Sequence, residues 1–410
     1  MGNYRPRLLL WAQWLAFASS AAIVIGIAPS QILLGLALVA LFASRERLRL
    51  PPIKLPLGLF LLGTLVAVAL SGNAMAGFPQ VKKIYVFSQL LVAYTLLRGT
   101  RIGNWLVLTW AGFGAASALF GVYQFGMKAY NIYQANEDFY PAYVTARITG
   151  FMGHWYIFSV EEMLVLIMLA SFLLFSASAR QYVWLWLVLG ATLGLGIVLA
   201  ETRAVWIAAA IGITYLVLCW RPWVALAIPA CIALGLLVAP STLRERAVSI
   251  VQPGSDDSNG FRAILLRTGV RMVEAHPWFG VGPGMQRERF MEYLPPDVPL
   301  PLPSGSYMHL HNVYLEYAAE RGVPVLLIFL WLIFKILWDF VRGVRGLPAG
   351  RDDRKSLIHG GIAVTIALLV EGMADVNFGN SEALTMYLVI VALGYNAIKN
   401  AVPLLSLPSG

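Results

Sequence analysis

The sequence predicts an all-α polytopic membrane protein, and three observations carry that prediction. Of 410 residues, 59% are hydrophobic, and with the 37 glycines roughly 68% count as apolar, against about 45–50% in soluble domains. Charged residues make up 12%, about half the soluble norm of ~25%. The apolar residues also fall in runs of about 17–25, long enough to cross a hydrocarbon core as helices. A cytosolic enzyme, a disordered tail and a disulfide-stapled secreted domain are excluded. Cys219 and Cys231 lie inside apolar runs, where they read as small buried hydrophobes without a redox role.

In chain order the candidate spans are 8–27, 28–43, 55–70, 81–97, 102–125 and 155–175, then 183–200, 204–220, 224–239, 323–341, 357–373 and 383–398, twelve in all. The second is short and begins beside Pro29. It is kept because Arg5 and Arg7 should share a side with Arg45, Arg47 and Arg49, which takes two crossings. With both termini cytoplasmic, the inner segments hold sixteen lysines and arginines and the short outer loops five. The positive-inside rule then fixes the orientation. Arg5, Arg7, an apolar run and Ala18-Ser19-Ser20 also suit a signal peptide, but eleven further spans need the first to set their topology, so retention is expected. No repeat of solenoid length and no similarity between halves is visible. The organisation expected is nine spans over 1–239, one large outer loop over 240–322, and three spans with a short cytoplasmic tail over 323–410.

Nine prolines break the loop, so no single long helix can run through it. A helix over 259–276 is expected after the cap Asp256-Asp257-Ser258, ending at Pro277. A glycine turn follows over 280–284, then a short helix over 285–294 and a last helix over 309–321, stopped by Gly322 with Pro324 opening the next span. The loop holds eight arginines, no lysine and nine acids, for a net charge near −1. That balance is no electrostatic mat for nucleic acid. Any anion site must come from a few converging arginines, whose planar forks suit phosphate.

Several residues can carry chemistry. His311, in His309-Leu310-His311-Asn312, reads as a general base or hydroxyl-orienting group, or as a capping histidine near headgroups. On a helix His309 would point about 200° away from it, which makes the two poor co-ligands. Arg203 follows Glu201-Thr202 at the outer mouth of the seventh and eighth spans, and its partner is either Glu201 or a ligand phosphate. Arg262, near the start of the loop's first helix, is a phosphate candidate. Arg267 and Arg271 lie further along that helix, and Arg271 is placed to pair with Glu274. Lys82, Lys83 and Arg147 read as interfacial snorkelers or as contacts to an anionic headgroup. Glu371 and Asp375 are a proton relay or ordinary interfacial carboxylates. No outer cluster suits Mg²⁺ or Zn²⁺, and the glycine turn lacks the Gly-Lys-Ser/Thr ending of a phosphate loop.

Four elements occur in order: Thr202-Arg203-Ala204, an Arg262 ahead of His276-Pro277, the run Trp278-Phe279-Gly280-Val281-Gly282-Pro283-Gly284, and His311-Asn312 with Tyr314-Leu315-Glu316 leading into Arg321-Gly322. Across roughly residues 190–340 the chain resembles the O-antigen ligase and polymerase family of bacterial envelope glycosyltransferases. Phe279 stands where many relatives have an aliphatic residue. The resemblance implies the membrane GT-C fold, with a large periplasmic loop over the active site in the bacterial inner membrane. It implies metal-free, cofactor-free transfer of a glycan from undecaprenyl diphosphate. Carried over by residue, His311 is the catalytic histidine, and Arg203, Arg262 and Arg267 hold the diphosphate. The expected partners are undecaprenyl-diphosphate-linked O-antigen as donor, lipid A-core oligosaccharide as acceptor, and membrane lipids.

A single displacement would invert the anomeric centre, since no paired carboxylates argue for a glycosyl-enzyme intermediate. The same family offers O-antigen polymerase and protein O-oligosaccharyltransferase as alternatives. A lipid-linked glycan flippase is the non-enzyme alternative. It predicts polar residues deep in several spans, whereas these spans read as nearly charge-free.

Overall fold

A computed structural model describes residues 4–239, 241–248, 250, 257–302 and 309–399. Pro240, Pro253, Asp256 of the expected cap, Pro303 and the tail beyond residue 399 lie outside the described residues. Among those described there is helix and turn but no strand. Among the described residues, seven helices are long and apolar enough to cross a membrane. The other predicted runs are helical too, in shorter, broken or more polar form.

Along the chain, α1 (Tyr4–Ala22) and α2 (Ile27–Ser44) form a hairpin. Ser19 and Ser30 close it by donating to each other's carbonyls at 2.8 and 2.9 Å. After α3 (Lys54–Leu70) the predicted fourth span is broken into α4 (Ala74–Lys82), a 3-10 stretch (Lys83–Phe87) and α5 (Ser88–Leu96). Pro79 removes one backbone donor just ahead of the break. The fifth span is longer than expected. As α6 (Thr100–Gln134) it runs 35 residues, about 52 Å at 1.5 Å per residue, against a hydrocarbon core of ~30 Å.

The short α7 (Phe139–Thr145) leads to α8 (Trp155–Phe175), α9 (Val183–Leu199) and α10 (Arg203–Trp220). The predicted ninth span is a 3-10 turn (Pro222–Ala227) followed by α11 (Ile228–Val238), with Pro222 and Pro229 at the two starts. The loop contributes α12 (Ser241–Val248), α13 (Asp257–Ala275), α14 (Met285–Glu288) and α15 (Val313–Arg321). The chain then returns through α16 (Val323–Arg345), α17 (Asp353–Glu371) and α18 (Ser381–Ile398).

The helices divide by burial. α8, α17 and α18 pack on one another at the centre, with 83% of α18 and 72% of the α8 span window buried, against 17% for the stretch ending in α9. Trp184, Leu226 and Leu237 stand outward on the peripheral segments, as apolar side chains do where the solvent is lipid. Cys219 and Cys231 are exposed there, not buried as their apolar surroundings suggested.

The nearly charge-free spans have an exception inside α8: Glu161 and Glu162 are each 1% exposed, about 9 and 10.5 Å along the axis from Trp155. Both Glu161 oxygens and one of Glu162 have no hydrogen-bond partner.

The loop folds onto one end of this bundle around its own small core of Leu265, Met272, Val281, Phe290, Leu310 and Ala319. Its glycine turn is a clamp. Val281 and Gly282 N–H donate to the carbonyls of Ala319 and Glu320 at 2.8 and 3.0 Å, and Val323 N–H donates to Pro277 at 2.8 Å. Gly322, between α15 and α16, has φ +84°, and a Cβ there would lie 2.1 Å from the Trp278 carbonyl oxygen. Gly322→Ala should therefore cost more than the ~1–3 kcal/mol of a left-handed strain alone and lower the thermal midpoint in detergent sharply. Gly346→Ala, at φ −82° with no atom nearer than 3.7 Å, should leave it nearly unchanged.

Candidate active site

The expected helix over 309–321 starts later, at Val313. Asn312 is its N-cap, its side chain accepting the Leu315 N–H at 2.9 Å. His309 and His311 therefore sit in the non-helical approach to the helix, and the 200° separation does not apply. His311 has φ +49°, a left-handed conformation uncommon for a non-glycine residue. Contacts on both sides hold it: ahead of it the Leu310 N–H donates to Oε2 of Glu316 at 2.7 Å, and after it the Asn312 side-chain amide donates to Met373 O at 3.1 Å and the Val313 N–H to Gly372 O at 2.8 Å. The last two acceptors lie just past α17.

That docking brings His311 to Asp375. Nδ1 of His311 donates to Oδ2 of Asp375 at 3.3 Å, while Oδ1 accepts the Val376 N–H at 2.8 Å. Burial acts to raise the Asp375 carboxyl, but the His311 hydrogen bond and charge, the Val376 N–H and nearby Arg262 hold it below its ordinary 3.8. An ionised carboxylate only accepts, so it fixes the imidazole proton on Nδ1 and leaves Nε2 as the open lone pair. Glu371, fully buried one turn back, has no hydrogen-bond partner and faces the equally buried Tyr156 hydroxyl of α8.

His309 has a different carboxylate. Its Nδ1 donates to Oε1 of Glu316 at 3.1 Å, and Oε2 accepts the Leu310 N–H at 2.7 Å. The Glu316 hydrogen bond raises the His309 pKa above its ordinary 6.5. Burial opposes it, and the charges of Glu316, Asp375 and Glu320 reinforce it.

The predicted arginines separate into three situations. Arg262, on the first turns of α13, acts electrostatically on both Glu371 and Asp375 and makes no hydrogen bond among the described residues. Arg203 opens α10 and is buried; the neighbouring Thr202 is tied to α8 through Ser159 at 3.1 Å. Arg267 is elsewhere: its two terminal nitrogens grip Asp297 at 2.8 and 2.6 Å on the exposed face of α13. Arg271 does not pair with Glu274; it donates to Leu294 O at 3.4 Å. Arg321 is structural, paired with the buried Glu320 at 2.6 Å and lying over the Tyr317 ring. Among the described residues no three His, Cys, Asp or Glu side chains gather as a metal site would require.

Residues 187–330 match the family model described as O-antigen ligase. The chain carries an O-antigen ligase family domain. The match takes in the Thr202-Arg203-Ala204 break, the glycine turn and the His311 run. No curated protein matches the chain.

Two parts of the site lie outside that domain and were not assigned from sequence. In the sequence Asp375 reads only as half of a carboxylate pair, since nothing in the pattern ties it to a histidine 64 residues away. His154 and Tyr156, at the start of α8, reach the Asp375 neighbourhood electrostatically. Lys83 donates to the Gly379 carbonyl, and Lys82 lies 4.9 Å over the Phe78 ring.

The His309–Glu316 pair yields a signed pH dependence. A histidine with a raised folded pKa adds stability fully below its ordinary 6.5 and loses it as pH climbs through the raised value. The thermal-midpoint gap between wild type and Glu316→Gln should be widest at pH 5.5–6 and close above neutrality. A pH-independent gap would mean that Glu316 acts through the Leu310 N–H alone.

Proposed function

We propose that this protein is an O-antigen ligase, transferring O-antigen from undecaprenyl diphosphate to lipid A-core oligosaccharide on the periplasmic face of the bacterial inner membrane. The observation that carries the reading is the His311–Asp375 pair, held beside Arg262 at the loop end of the bundle. The proposed architecture is the twelve-span GT-C plan with residues 240–322 in the periplasm and both termini cytoplasmic.

The chemistry needs two things at one place. The acceptor hydroxyl attacks the anomeric carbon, and the bond from that carbon to the diphosphate oxygen breaks. The proton passes to Nε2 of His311 as the attack proceeds, and the imidazolium formed is stabilised by Asp375. The leaving diphosphate gains negative charge, which Arg262 and Arg203 offset by charge-assisted hydrogen bonds at a partly dehydrated surface. Arg267, engaged by Asp297, is left out of this set. One in-line displacement inverts the anomeric centre. Asp375 is a positioning residue: it sets the tautomer and aim of His311 without touching substrate.

Reconstitution tests this directly. Purified protein, undecaprenyl-diphosphate glycan and lipid A-core should give a larger lipopolysaccharide species in the presence of chelator. A ladder of longer lipid-linked glycans from donor alone would make the protein a polymerase. Glycan crossing the bilayer without a new bond would make it a flippase.

His311→Ala should lower kcat by about 10²–10⁴. Asp375→Asn should lower kcat by about 10–100-fold with the KM for donor unchanged, and Asp375→Glu should recover part of it. A loss in Asp375→Asn carried by KM instead would assign Asp375 to binding.

A further inference from the structure

Arg147 has no task in the transfer just described. It lies between α7 and α8, and the residue is only 8% exposed. A guanidinium this buried ordinarily spends its fork on a carboxylate. Arg147 does not. Its one hydrogen bond runs from Nε to the Val144 carbonyl at 3.1 Å. Its two terminal nitrogens make none among the described residues, yet neither is sealed from solvent.

The surroundings hold the fork in place without neutralising it. The guanidinium carbon stands 3.9 Å from the centroid of the Trp155 ring, a contact that fixes its plane. His154 lies 4.8 Å from the same indole. Its Nδ1 accepts the Tyr156 N–H at 3.1 Å, which places the ring proton on Nε2 of this exposed residue. Glu201 acts on Arg147 through space but makes no ion pair with it within 4.0 Å, and one Glu201 oxygen has no hydrogen-bond partner. A second buried guanidinium, Arg246, stands nearby, donating to Glu201 O at 3.4 Å and to the Tyr140 hydroxyl at 3.2 Å. Burial first, and Arg246 next, lower the Arg147 pKa to about 10, so it stays charged at neutral pH. His154 also lies within electrostatic reach of Asp375, which puts this corner beside the candidate active site.

We infer that Arg147, with the His154 Nε2–H beside it, forms a second phosphate subsite that takes a phosphate carried by one of the lipid substrates, apart from the Arg203–Arg262 pair. The identity of those lipids rests on the ligase reading; the existence of a phosphate-taking fork does not, and binding tests it without turnover.

The full chain in nanodiscs is titrated with four probes: phosphorylated lipid A-core, its dephosphorylated form, undecaprenyl diphosphate and undecaprenol. In Arg147→Gln, affinity for one phosphorylated probe should fall about tenfold or more, the loss expected for one charged hydrogen-bonding partner, with the matching phosphate-free probe unaffected. Loss on the lipid A-core arm assigns the phosphate to the acceptor, and loss on the undecaprenyl arm to the donor. Arg147→Lys keeps the charge without the fork and should fall in between; it is the working variant if Arg147→Gln does not fold. Affinities within twofold of wild type for all four probes overturn the subsite and leave Arg147 as a brace for Trp155. If wild type binds the phosphorylated probes through Arg147 but joins no glycan to lipid A-core, the ligase reading falls and the subsite stands.

Discussion

The junction where α15 meets α16 is held first by peptide groups. Val281, Gly282 and Val323 donate their N–H groups across it, and Val313 ties the start of α15 to the end of α17. Near a low-dielectric bundle an unmade peptide hydrogen bond costs several kcal/mol, so the register of these contacts is closely constrained. Only glycine fits where the two strands of loop cross. At Gly280 a Cβ would lie 2.3 Å from the Glu320 carbonyl carbon, and φ there is +68°. The left-handed backbone of His311 follows from this anchoring: a strain of about 1–3 kcal/mol persists because contacts on both sides over-determine it.

With α15 fixed, the carboxylates beneath it acquire separate duties. Glu320 pairs with Arg321 and receives the Gly284 N–H at 2.9 Å, which locks the glycine turn. Glu316 serves His309 and Leu310, and Asp375 serves His311. Each acid therefore has a basic or N–H partner supplied by the loop itself. The arginines of this corner are less evenly matched. Arg262 faces Asp375 and Glu371 without bonding to either, and Arg147 rests on an indole. A corner whose loop-facing acids have partners and whose guanidinium groups keep donors in hand is suited to an anion, even though the loop's net charge is close to zero.

Much of this was legible in the sequence because bilayer physics is read from composition and run length. The helices over 155–175 and 323–345 need nothing more than their apolar runs. Breaks were harder: α4 to α5 and the segment over 222–238 have the hydropathy of spans, and only Pro79, Pro222 and Pro229 hint at the interruption. His311, Arg203 and Arg262 stood out because polar residues are scarce in such a chain. The partners were not visible. Asp375 reaches His311 through a docking contact between distant segments, and Arg267 turns to Asp297 across a proline-rich crossing that no periodicity describes. Glu161 and Glu162 were hidden by averaging, since two acids scarcely dent the hydropathy of 21 apolar residues.

The division of labour within the site follows from where its parts are rooted. Asp375 leaves the end of α17 and Tyr156 belongs to α8, two of the helices that pack most closely at the centre. The His311 side chain bonds to that floor, and the backbone of Val313, two residues on, is tied to it as well. Arg262 and Arg147 come from α13 and from the segment before α8. A proton acceptor must be aimed to within a few tenths of an ångström, and a rigid floor supplies that. Diphosphate charge is spread over several oxygens and is served by forks approaching from more than one side. The imidazole is thus rooted on the bundle, whereas Arg262 belongs to the loop helix α13 and Arg147 to the segment between α7 and α8. Glu161 and Glu162, without hydrogen-bond partners on three of their four oxygens, belong to α8 within the bundle and take no part in this set.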